Sequence, residues 1–400
     1  MGESIVVNVD ELWLRGKNRS LYFKALIKHV RETLWHYHGK DFSCKKEGNR
    51  ILVTTKSSFK NDIYLALKRV PGIHSFFFAK VLPVEYDNIY PAVKELLSSL
   101  QEMPDNFKVK TVRSFKRFPK NSQEVSREIG ERVLSDFPSL KAKMKNPELS
   151  IQINITEENI FVSVKKYFGM GGQPYGTTGH LITLLSGGFD SPVASYLMSK
   201  RGCSQTFIFF YSYPFVSEDV KDKILDLSSL LGRFQRETKL YVVPFGDMQK
   251  KISKSCRDEY RTLLFRKHMI ECAELLAKKL NAEALCTGDS LAQVSSQTMG
   301  NISLIDSSSK LSIFRPLLGF NKSETISIAN KIDTYSISER PHDDACSLFA
   351  PKHPIIKPDK KYWEDYEESV DYTEELESCL SNAEVYNISI CGEVEKVEEL

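Results

Sequence analysis

The sequence lacks several patterns that would assign it to a familiar class of protein. Its eight cysteines are never closer together than 12 positions, so no C-x-x-C pair predicts a zinc site, an iron–sulfur cluster or a thioredoxin-like centre. No run of about 18 apolar residues predicts a transmembrane helix, and the first residues do not resemble a signal peptide. A G-x-x-x-x-G-K-[ST] loop is also missing, which excludes a kinase-type or GTPase-type phosphate site. We therefore expect free thiols and a cytoplasmic location.

The composition is that of a folded protein, and its charge is unevenly distributed. Apolar residues make up 41% and charged residues 27% of the 400 positions, and this length predicts two or three domains. Residues 359–400 contain 14 Asp/Glu against 3 Lys/Arg, so residues 1–358 carry a charge of +14 within the net +3. A basic body attracts polyanions. We expect 359–400 to be an acidic tail that limits indiscriminate binding or only keeps the protein soluble.

The residues before the Pro71-Gly72 break alternate between β-prone and helix-periodic segments. The alternation suits a small α/β sandwich of the ferredoxin-like kind, assigned to residues 1–72. The predicted elements are strands at 4–10 and 50–55 and helices at 19–38 and 61–69.

Residues 73–166 predict a second α/β unit with a basic surface. Between Lys108 and Asn146 there are 11 Lys/Arg against 4 Asp/Glu, and Phe115 and Phe118 are interleaved with the cations. Basic side chains with aromatic neighbours suit a phosphate backbone and stacked bases, although a solvated charged face is an equal alternative. The candidate RNA-binding residues are Arg113, Lys116, Arg117 and Lys120.

A glycine-rich stretch, assigned to 167–179 as a linker or lid, precedes a β-α-β-α pattern that extends to residue 358. Strands that are continuous apolar runs and alternate with helices predict a parallel sheet covered on both faces. The predicted strands are 181–185, 206–211, 240–245, 284–287 and 313–317.

The strongest motif is Ser186-Gly187-Gly188-Phe189-Asp190-Ser191, between the first strand and first helix of that sheet. An open α/β sheet binds ligands at the carboxyl ends of its strands, and two glycines let the backbone approach a phosphate. Ser191 is expected to cap the helix, with Pro192 at its first position, so that free N–H groups face an anion. A structural turn is the less favoured alternative. The motif predicts an ATP phosphate site without a resident metal centre.

Four side chains, one of them in this loop, are candidates for chemistry. Asp190 is expected to handle Mg²⁺-linked ATP, and Arg266 to neutralise phosphate unless it is a surface cation. A capping box from Asn321 to Glu324 places Lys322 at a helix N-terminus, where an anion would offset its conflict with the helix dipole. Cys346 lies in a loop-like stretch before Lys352 and His353, so it is a candidate nucleophile. Ser290 and Gln293 are predicted to form a purely structural capping box.

Taken together, the motifs resemble a known family. The loop is similar to that of the PP-loop ATP pyrophosphatases, and residues 3–358 as a whole resemble the tRNA 4-thiouridine synthetases, which are tRNA sulfurtransferases. The matching segments, in the family's order, are Glu11–Arg19, Gly171–Gly176, Leu184–Ala194, Thr287–Gln297, Arg315–Leu317, Asn321–Glu324 and Cys346–Lys352.

The resemblance implies an α/β multidomain fold and a set of site residues. The fold would comprise the ferredoxin-like domain, a THUMP RNA-binding domain at 73–166, and a Rossmann-like PP-loop domain, related to the adenine nucleotide alpha hydrolases, at 180–358. Cys346, Asp190 and Lys322 would be catalytic. ATP would be bound by Leu184, Leu185, Ser186, Gly187, Gly188, Phe189, Asp190, Ser191, Phe209, Phe210, Arg266, Gly288 and Gln297.

The implied reaction transfers persulfide sulfur to uridine 8 of tRNA through an adenylated intermediate, with ATP and Mg²⁺ as cofactors. The resemblance also implies a role in thiamine thiazole synthesis. Only 42 residues follow Pro358, too few for the rhodanese domain that some members carry, so a separate cysteine desulfurase is the expected donor. Cys203, Cys379 and Cys391 remain open as partners of Cys346, and the oligomeric state, including a homodimer, also stays open.

Two other functions are compatible with parts of the sequence. One is a different PP-loop enzyme, either a thiolase of another RNA base or an amide-forming ligase, although a ligase needs neither the basic unit nor Cys346. The other is a non-catalytic RNA-binding protein with a relic nucleotide site, which the intact loop disfavours.

Overall fold

The computed structural model describes residues 4–11, 16, 18–57, 59, 62–341 and 351–397. These residues form two compact units. The first unit comprises Met1–Lys68 and Gly72–Gly171, and the second comprises Arg69–Pro71 and Gly172–Leu400, within the described ranges. Across these ranges, no helix combines the length and the apolar character needed to cross a lipid bilayer.

The two units contain the following elements. The strands are β1 (Ser4–Val9), β2 (Ser43–Glu47), β3 (Arg50–Thr54), β4 (Ile73–Leu82), β5 (Asn106–Arg113), β6 (Lys141–Ala142), β7 (Leu149–Ile155), β8 (Ile160–Ser163), β9 (Tyr167–Phe168), β10 (His180–Leu184), β11 (Ser204–Tyr211), β12 (Glu237–Pro244), β13 (Ala284–Cys286), β14 (Ser312–Phe314), β15 (Glu384–Ser389) and β16 (Val394–Lys396). The α-helices are α1 (Arg19–His38), α2 (Ile63–Lys68), α3 (Ile89–Ser98), α4 (Ser122–Asp136), α5 (Asp190–Lys200), α6 (Glu218–Gly232), α7 (Gly246–Ser255), α8 (Arg261–Leu280), α9 (Met299–Ser307), α10 (Lys322–Lys331), α11 (Tyr335–Ser338), α12 (Lys360–Ser369) and α13 (Thr373–Ser381).

The first unit is built on one continuous sheet with the strand order β2-β3-β1-β4-β8-β7-β5-β6, and β9 also pairs with β4. The chain order β1-α1-β2-β3-α2-β4 is that of a ferredoxin-like fold. The ten-residue strand β4 belongs to both halves, because Ser4 of β1 pairs with Ala79 and Val162 of β8 pairs with Lys80. The break at Pro71-Gly72 therefore precedes a shared strand and does not separate two sheets.

The second unit contains a seven-stranded sheet in the order β14-β13-β10-β11-β12-β15-β16. The first five of these strands pair in parallel, and β15 and β16 add antiparallel strands at one edge. From β10 the chain proceeds outward through β11 and β12, and it then returns to the other side of β10 as β13 and β14. This reversal creates a crevice beyond the carboxyl end of β10, where α/β sheets bind ligands. The motif Ser186–Ser191 follows directly at that end.

Two apolar layers cover this sheet, as the continuous apolar strands predict. On one face, α7, α8, α12 and α13 contribute Ile252, Leu264, Trp363 and Leu376 to a buried cluster. On the other, α6 and α11 contribute Val220, Ile224, Leu227 and Ile337.

The structure corrects the expectation of an acidic tail at 359–400. Residues 360–396 form two helices and two strands, and β15 pairs with β12 over six residue pairs. Trp363 and Ile388 are each 1% exposed. The acidic residues lie on the outer positions of an amphipathic pattern, for example where Glu375 pairs with Lys251 and Glu384 with Lys221. Counting charges across the segment concealed the periodic apolar residues between them.

Candidate active site in the second unit

The loop between β10 and α5 is closed by a serine pair. The Ser186 backbone N–H donates to Ser191 Oγ at 2.8 Å, and the two hydroxyls lie 3.0 Å apart. Helix α5 begins at Asp190 after Phe189, which makes no side-chain cap. The prediction that Ser191 caps the helix is therefore wrong, because its hydroxyl closes the loop instead and Pro192 is the third helical residue. The first-turn N–H groups stay available for an anion.

Gly288 allows the loop after β13 to approach this helix start. A Cβ atom built on Gly288 would lie 2.5 Å from the Ser191 backbone nitrogen and 2.7 Å from the Asp190 carbonyl carbon. Real side chains do not tolerate such distances to backbone atoms. The absence of a side chain therefore lets two backbone segments pack together, and Gly288 keeps the ends of β10 and β13 close around one cavity.

A cavity of about 440 Å³ opens beside the loop. Seven of the predicted nucleotide-binding residues line it, namely Leu184, Ser186, Asp190, Ser191, Arg266, Gly288 and Gln297. Helix α8 adds the apolar side chains of Met269 and Ile270 to its wall. Phe209 and Phe210 lie at the carboxyl end of β11, with side chains buried in the two opposite apolar layers.

Asp289 was not among the predicted site residues, but its carboxylate holds together several side chains in the wall of this cavity. Its carboxylate pairs with Arg266 and, at 3.1 Å, with Arg315 Nε. It also accepts hydrogen bonds from Thr287 Oγ1 at 2.7 Å and Gln297 Nε2 at 3.2 Å. Burial would raise the pKa of Asp289, but the charge of Arg266 and these hydrogen bonds outweigh it and lower that pKa to about 2. Arg266 is therefore held in place by a buried anion.

Replacing Asp289 by Asn is expected to lower the free energy of unfolding at pH 7 by about 3–5 kcal/mol, because two partly buried arginines lose their shared anion. The pKa of Asp289 is lowered from 3.8 to about 2, so its contribution is complete above pH 4 and is lost as the pH falls toward 2. Thermal unfolding of both proteins at several pH values measures this difference. Asp306→Asn is the control, since the half-exposed Asp306 pairs with the same Arg315. An equal loss in both variants would contradict the prediction.

Asp190 and Lys322 meet at the mouth of the loop, although they are 132 positions apart. Lys322 Nζ lies 2.8 and 2.9 Å from the two carboxylate oxygens of Asp190, and Gln293 Nε2 donates to the same carboxylate at 2.9 Å. The predicted capping box at Asn321 and Glu324 is present and places Lys322 at the first position of α10. Asp190 is thus the anion that offsets the unfavourable position of Lys322.

The predicted capping box at Ser290 and Gln293 does not form. No helix begins there, and Ser290 Oγ instead donates to the Phe320 carbonyl at 2.9 Å. Gln293 therefore belongs to the site through its contact with Asp190, which no local pattern indicates.

Helix α11 supports the loop from its outer side. Ser338 Oγ donates to the Gly188 carbonyl at 3.1 Å, and the Tyr335 ring lies 5.2 Å from the Phe189 ring. Lys223, which is 2% exposed on α6, donates to the carbonyls of Ser338 and Arg340 at 2.9 and 2.8 Å. The conformation of the glycine pair is therefore set by tertiary contacts as well as by its own sequence.

Comparison with known proteins agrees with this geometry. Family models match residues 4–76 as the ThiI ferredoxin-like domain, 84–165 as the THUMP domain and 176–372 as the thiamine biosynthesis protein (ThiI). A probable tRNA sulfurtransferase of Thermoanaerobacter pseudethanolicus is 39% identical over 92% of this chain and 99% of its own length. Another from Alkaliphilus oremlandii is 36% identical over 98% and 100%. The chain belongs to the tRNA sulfurtransferase family.

A solved member of this family has the same fold. The crystal structure of a 4-thiouridine synthetase in complex with RNA and bound ATP superimposes with a TM-score of 0.86. Its sequence is 30% identical, and the match covers 97% of this chain and 100% of that one. The predicted family and the fold class, with ferredoxin-like, THUMP and PP-loop parts, are confirmed.

The sulfurtransferase cysteine predicted from the sequence, Cys346, lies outside the described residues. Of the three candidate partners, Cys203 is buried at the amino end of β11, and Cys391 follows β15 beside the amino end of β12. Both cysteines therefore lie at the amino ends of the parallel strands, whereas the phosphate loop lies at the carboxyl ends. Burial raises the pKa of Cys203 to about 11 and also raises that of Cys379 on α13, so neither thiol is activated in this state.

The basic residues proposed for RNA binding divide into two groups. Arg113 donates to the carbonyls of Lys116, Phe118 and Lys120, at 3.3, 3.0 and 3.2 Å, and so shapes its own loop. Lys120 is paired with Glu128. Lys116 and Arg117 are exposed and make no ion pair within the described part of the chain. Arg113 and Lys120 therefore support the loop, and the predicted RNA contacts that remain exposed and without an ion pair among the described residues are Lys116 and Arg117.

Proposed function

We propose that this chain uses ATP to convert a uridine of tRNA, at position 8, into 4-thiouridine. The observation that carries the proposal is the Asp190–Lys322 pair beside a serine-closed loop at the sheet's ligand-binding edge. This arrangement provides backbone N–H groups for phosphates and a carboxylate in the cavity wall, and it pairs a cation with that carboxylate. The family membership and the RNA and ATP in the solved relative support the same substrates for this chain.

The adenine end of ATP would bind against α8 and the loop after β13. Met269 and Ile270 offer an apolar wall for the base. Gln297 donates to Asp289, while its Oε1 has no donor among the described residues. An exocyclic amine such as that of adenine supplies the missing donor. The phosphates would then extend toward the first turn of α5.

Mg²⁺ fits the donor set of this site. It prefers oxygen ligands and is commonly held by one carboxylate together with substrate phosphates. Asp190 is the carboxylate at the phosphate loop, and within the described residues no cluster of three metal-binding side chains offers a site independent of the nucleotide. Asp190 would hold the ion, which would neutralise phosphate charge when bound, and Lys322 would then be released from Asp190 toward the phosphates.

The reaction proceeds through three bond exchanges. The 4-oxygen of uridine forms a bond to the α-phosphorus of ATP as the bond to pyrophosphate breaks, and Lys322 stabilises the developing charge. The terminal sulfur of a persulfide on Cys346 then bonds to C4, and AMP leaves with the oxygen. A second thiol breaks the S–S bond, forming a disulfide with Cys346 that a thiol reductant reopens. A cysteine desulfurase would load the persulfide, and the same sulfur could supply thiamine thiazole synthesis.

Mass spectrometry of tRNA incubated with ATP, Mg²⁺ and a protein persulfide donor tests this proposal. We expect one uridine to gain sulfur, and we expect Cys346→Ala to abolish the gain while AMP formation continues. Free sulfide is expected to restore the product in that variant, because adenylation does not need the thiol. Cys256→Ala, which removes a different cysteine, one that is partly buried, is the control.

Three other results would contradict the proposal in distinct ways. Sulfur on a different base would indicate another thiolase. ATP–pyrophosphate exchange that depends on an amine instead of tRNA would indicate a ligase. No exchange at all, with tRNA still bound, would indicate a non-catalytic RNA-binding protein.

A further inference from the structure

The short strand β9, at the end of the first unit, carries two aromatic side chains surrounded by lysines. Tyr167 and Phe168 are consecutive, so their side chains point to opposite faces of the sheet. Tyr167 is half-buried and stacks on Phe76 at 5.3 Å with an interplanar angle of 13°. Phe168 is 62% exposed. One strand thus has a ring that is stacked on the sheet and a ring that is mostly exposed.

Three lysines lie over these rings, and a fourth lies near one of the three. Lys166 Nζ lies 4.9 Å from the centre of the Phe168 ring. Lys165 and Lys68 lie 5.2 and 6.0 Å from that of Tyr167. Lys110, on β5, is close enough that its charge, after burial, helps lower the pKa of Lys166. We call the exposed ring and these lysines the β9 edge: Phe168, Lys68, Lys110, Lys165 and Lys166.

The lysines of the β9 edge are not neutralised by the protein. Within the described residues, no ion pair joins any of the four to a carboxylate. Asp10 lies 3.7 Å from His74, whose ring packs edge-on to that of Phe168. Like charges gathered without a counter-ion repel one another, and a bound polyanion removes that cost.

We propose that the β9 edge binds a single-stranded segment of the RNA substrate, with one base stacked on Phe168 and its phosphates beside the lysines. Proteins bind unpaired strands through two contributions: bases stack on exposed aromatic rings, and basic side chains attract the phosphates of the nucleic-acid backbone. This inference rests on the proposed function only for the identity of the RNA. The surface is separate in sequence from the loop of Lys116 and Arg117, and its aromatic ring is more exposed than those of the loop, where Phe118 is buried and Phe115 is half-buried.

Binding of a fluorescent ten-nucleotide oligouridylate and of a tRNA transcript to the full chain tests the inference. Phe168→Ala is expected to weaken oligouridylate binding about tenfold, and Phe168→Trp to preserve it. Lys166→Met is expected to reduce the slope of log affinity against log salt by about 0.7, the value for one phosphate contact on a single strand. Circular dichroism should be unchanged, because Phe168 is exposed.

Trp35→Ala is the matched control. Trp35 is 50% exposed on α1 with Lys40 Nζ 4.6 Å from its ring, so it repeats the local chemistry at another place in the first unit. Its replacement should leave affinity unchanged. Unchanged binding by Phe168→Ala, an equal loss in Trp35→Ala, or equally tight binding of oligoglutamate would overturn the inference. Absence of 4-thiouridine with Phe168-dependent binding intact would refute the proposed function and leave the β9 edge standing.

Discussion

Replacing Lys322 by Met or Asp190 by Asn is expected to lower the rate of tRNA-dependent AMP formation by about 100-fold or more. Preorganised charges at a phosphoryl-transfer site commonly contribute factors of this size. The two residues form a bidentate contact at 2.8 and 2.9 Å, so each loss also leaves the other side chain without its partner. A single-turnover assay with labelled ATP measures the effect directly.

The two substitutions should differ in their dependence on Mg²⁺. If Asp190 holds the ion, Asp190→Asn will require a higher Mg²⁺ concentration, whereas Lys322→Met will keep the original Mg²⁺ dependence and lose rate at saturation. Both variants should retain the parental melting temperature within a few degrees, because this pair is partly exposed and such pairs contribute little stability.

Lys250→Met is a suitable control for Lys322→Met. Lys250 is 48% exposed, against 43% for Lys322, and it pairs with Asp247 at 3.3 Å. Its ammonium lies 4.6 Å from the Phe215 ring, as that of Lys322 lies 5.4 Å from the Phe189 ring. The control should be fully active. Near-normal AMP formation by Lys322→Met would show that the pair is structural.

Ending the chain at Pro358 is expected to prevent the second unit from folding. The truncation would remove the strand that pairs with β12 and uncover the apolar layer into which α12 and α13 pack. We expect an insoluble or protease-sensitive product. The opposite hypothesis, that the segment only adds solubility, requires the truncated chain to bind ATP normally and to bind RNA less selectively.

A single substitution gives a quantitative version of this test. Trp363→Ala is expected to lower the free energy of unfolding by about 3–5 kcal/mol and the melting temperature by on the order of 10 °C, because the side chain is 1% exposed. Glu377→Ala, on an exposed position of α13, should change stability by less than about 0.5 kcal/mol. Thermal unfolding that does not distinguish the two would contradict the integral role of the C-terminal segment.

Patterns of neighbouring residues predicted correctly those features that depend on interactions between residues close in sequence. The parallel strands, the helix start at Asn321 and the loop at Ser186 depend on neighbouring residues, and the structure has them where the sequence predicts them. The capping assignments of Ser191 and Ser290 failed because their hydroxyls bond to Ser186 and Phe320. A hydroxyl or amide has several partners of similar energy, and the fold decides which one is near.

The sequence by itself determined the order of elements, the phosphate loop and the family. Each of these can be recognised from short segments of contiguous residues. Only the tertiary structure decided which charges neutralise one another: Asp289 with Arg266 and Arg315, and Asp190 with Lys322. It also decided that the acidic C-terminal segment is part of the sheet. The reason is physical, because Coulomb energy and burial depend on distances between groups, and folding brings together groups that are far apart along the chain.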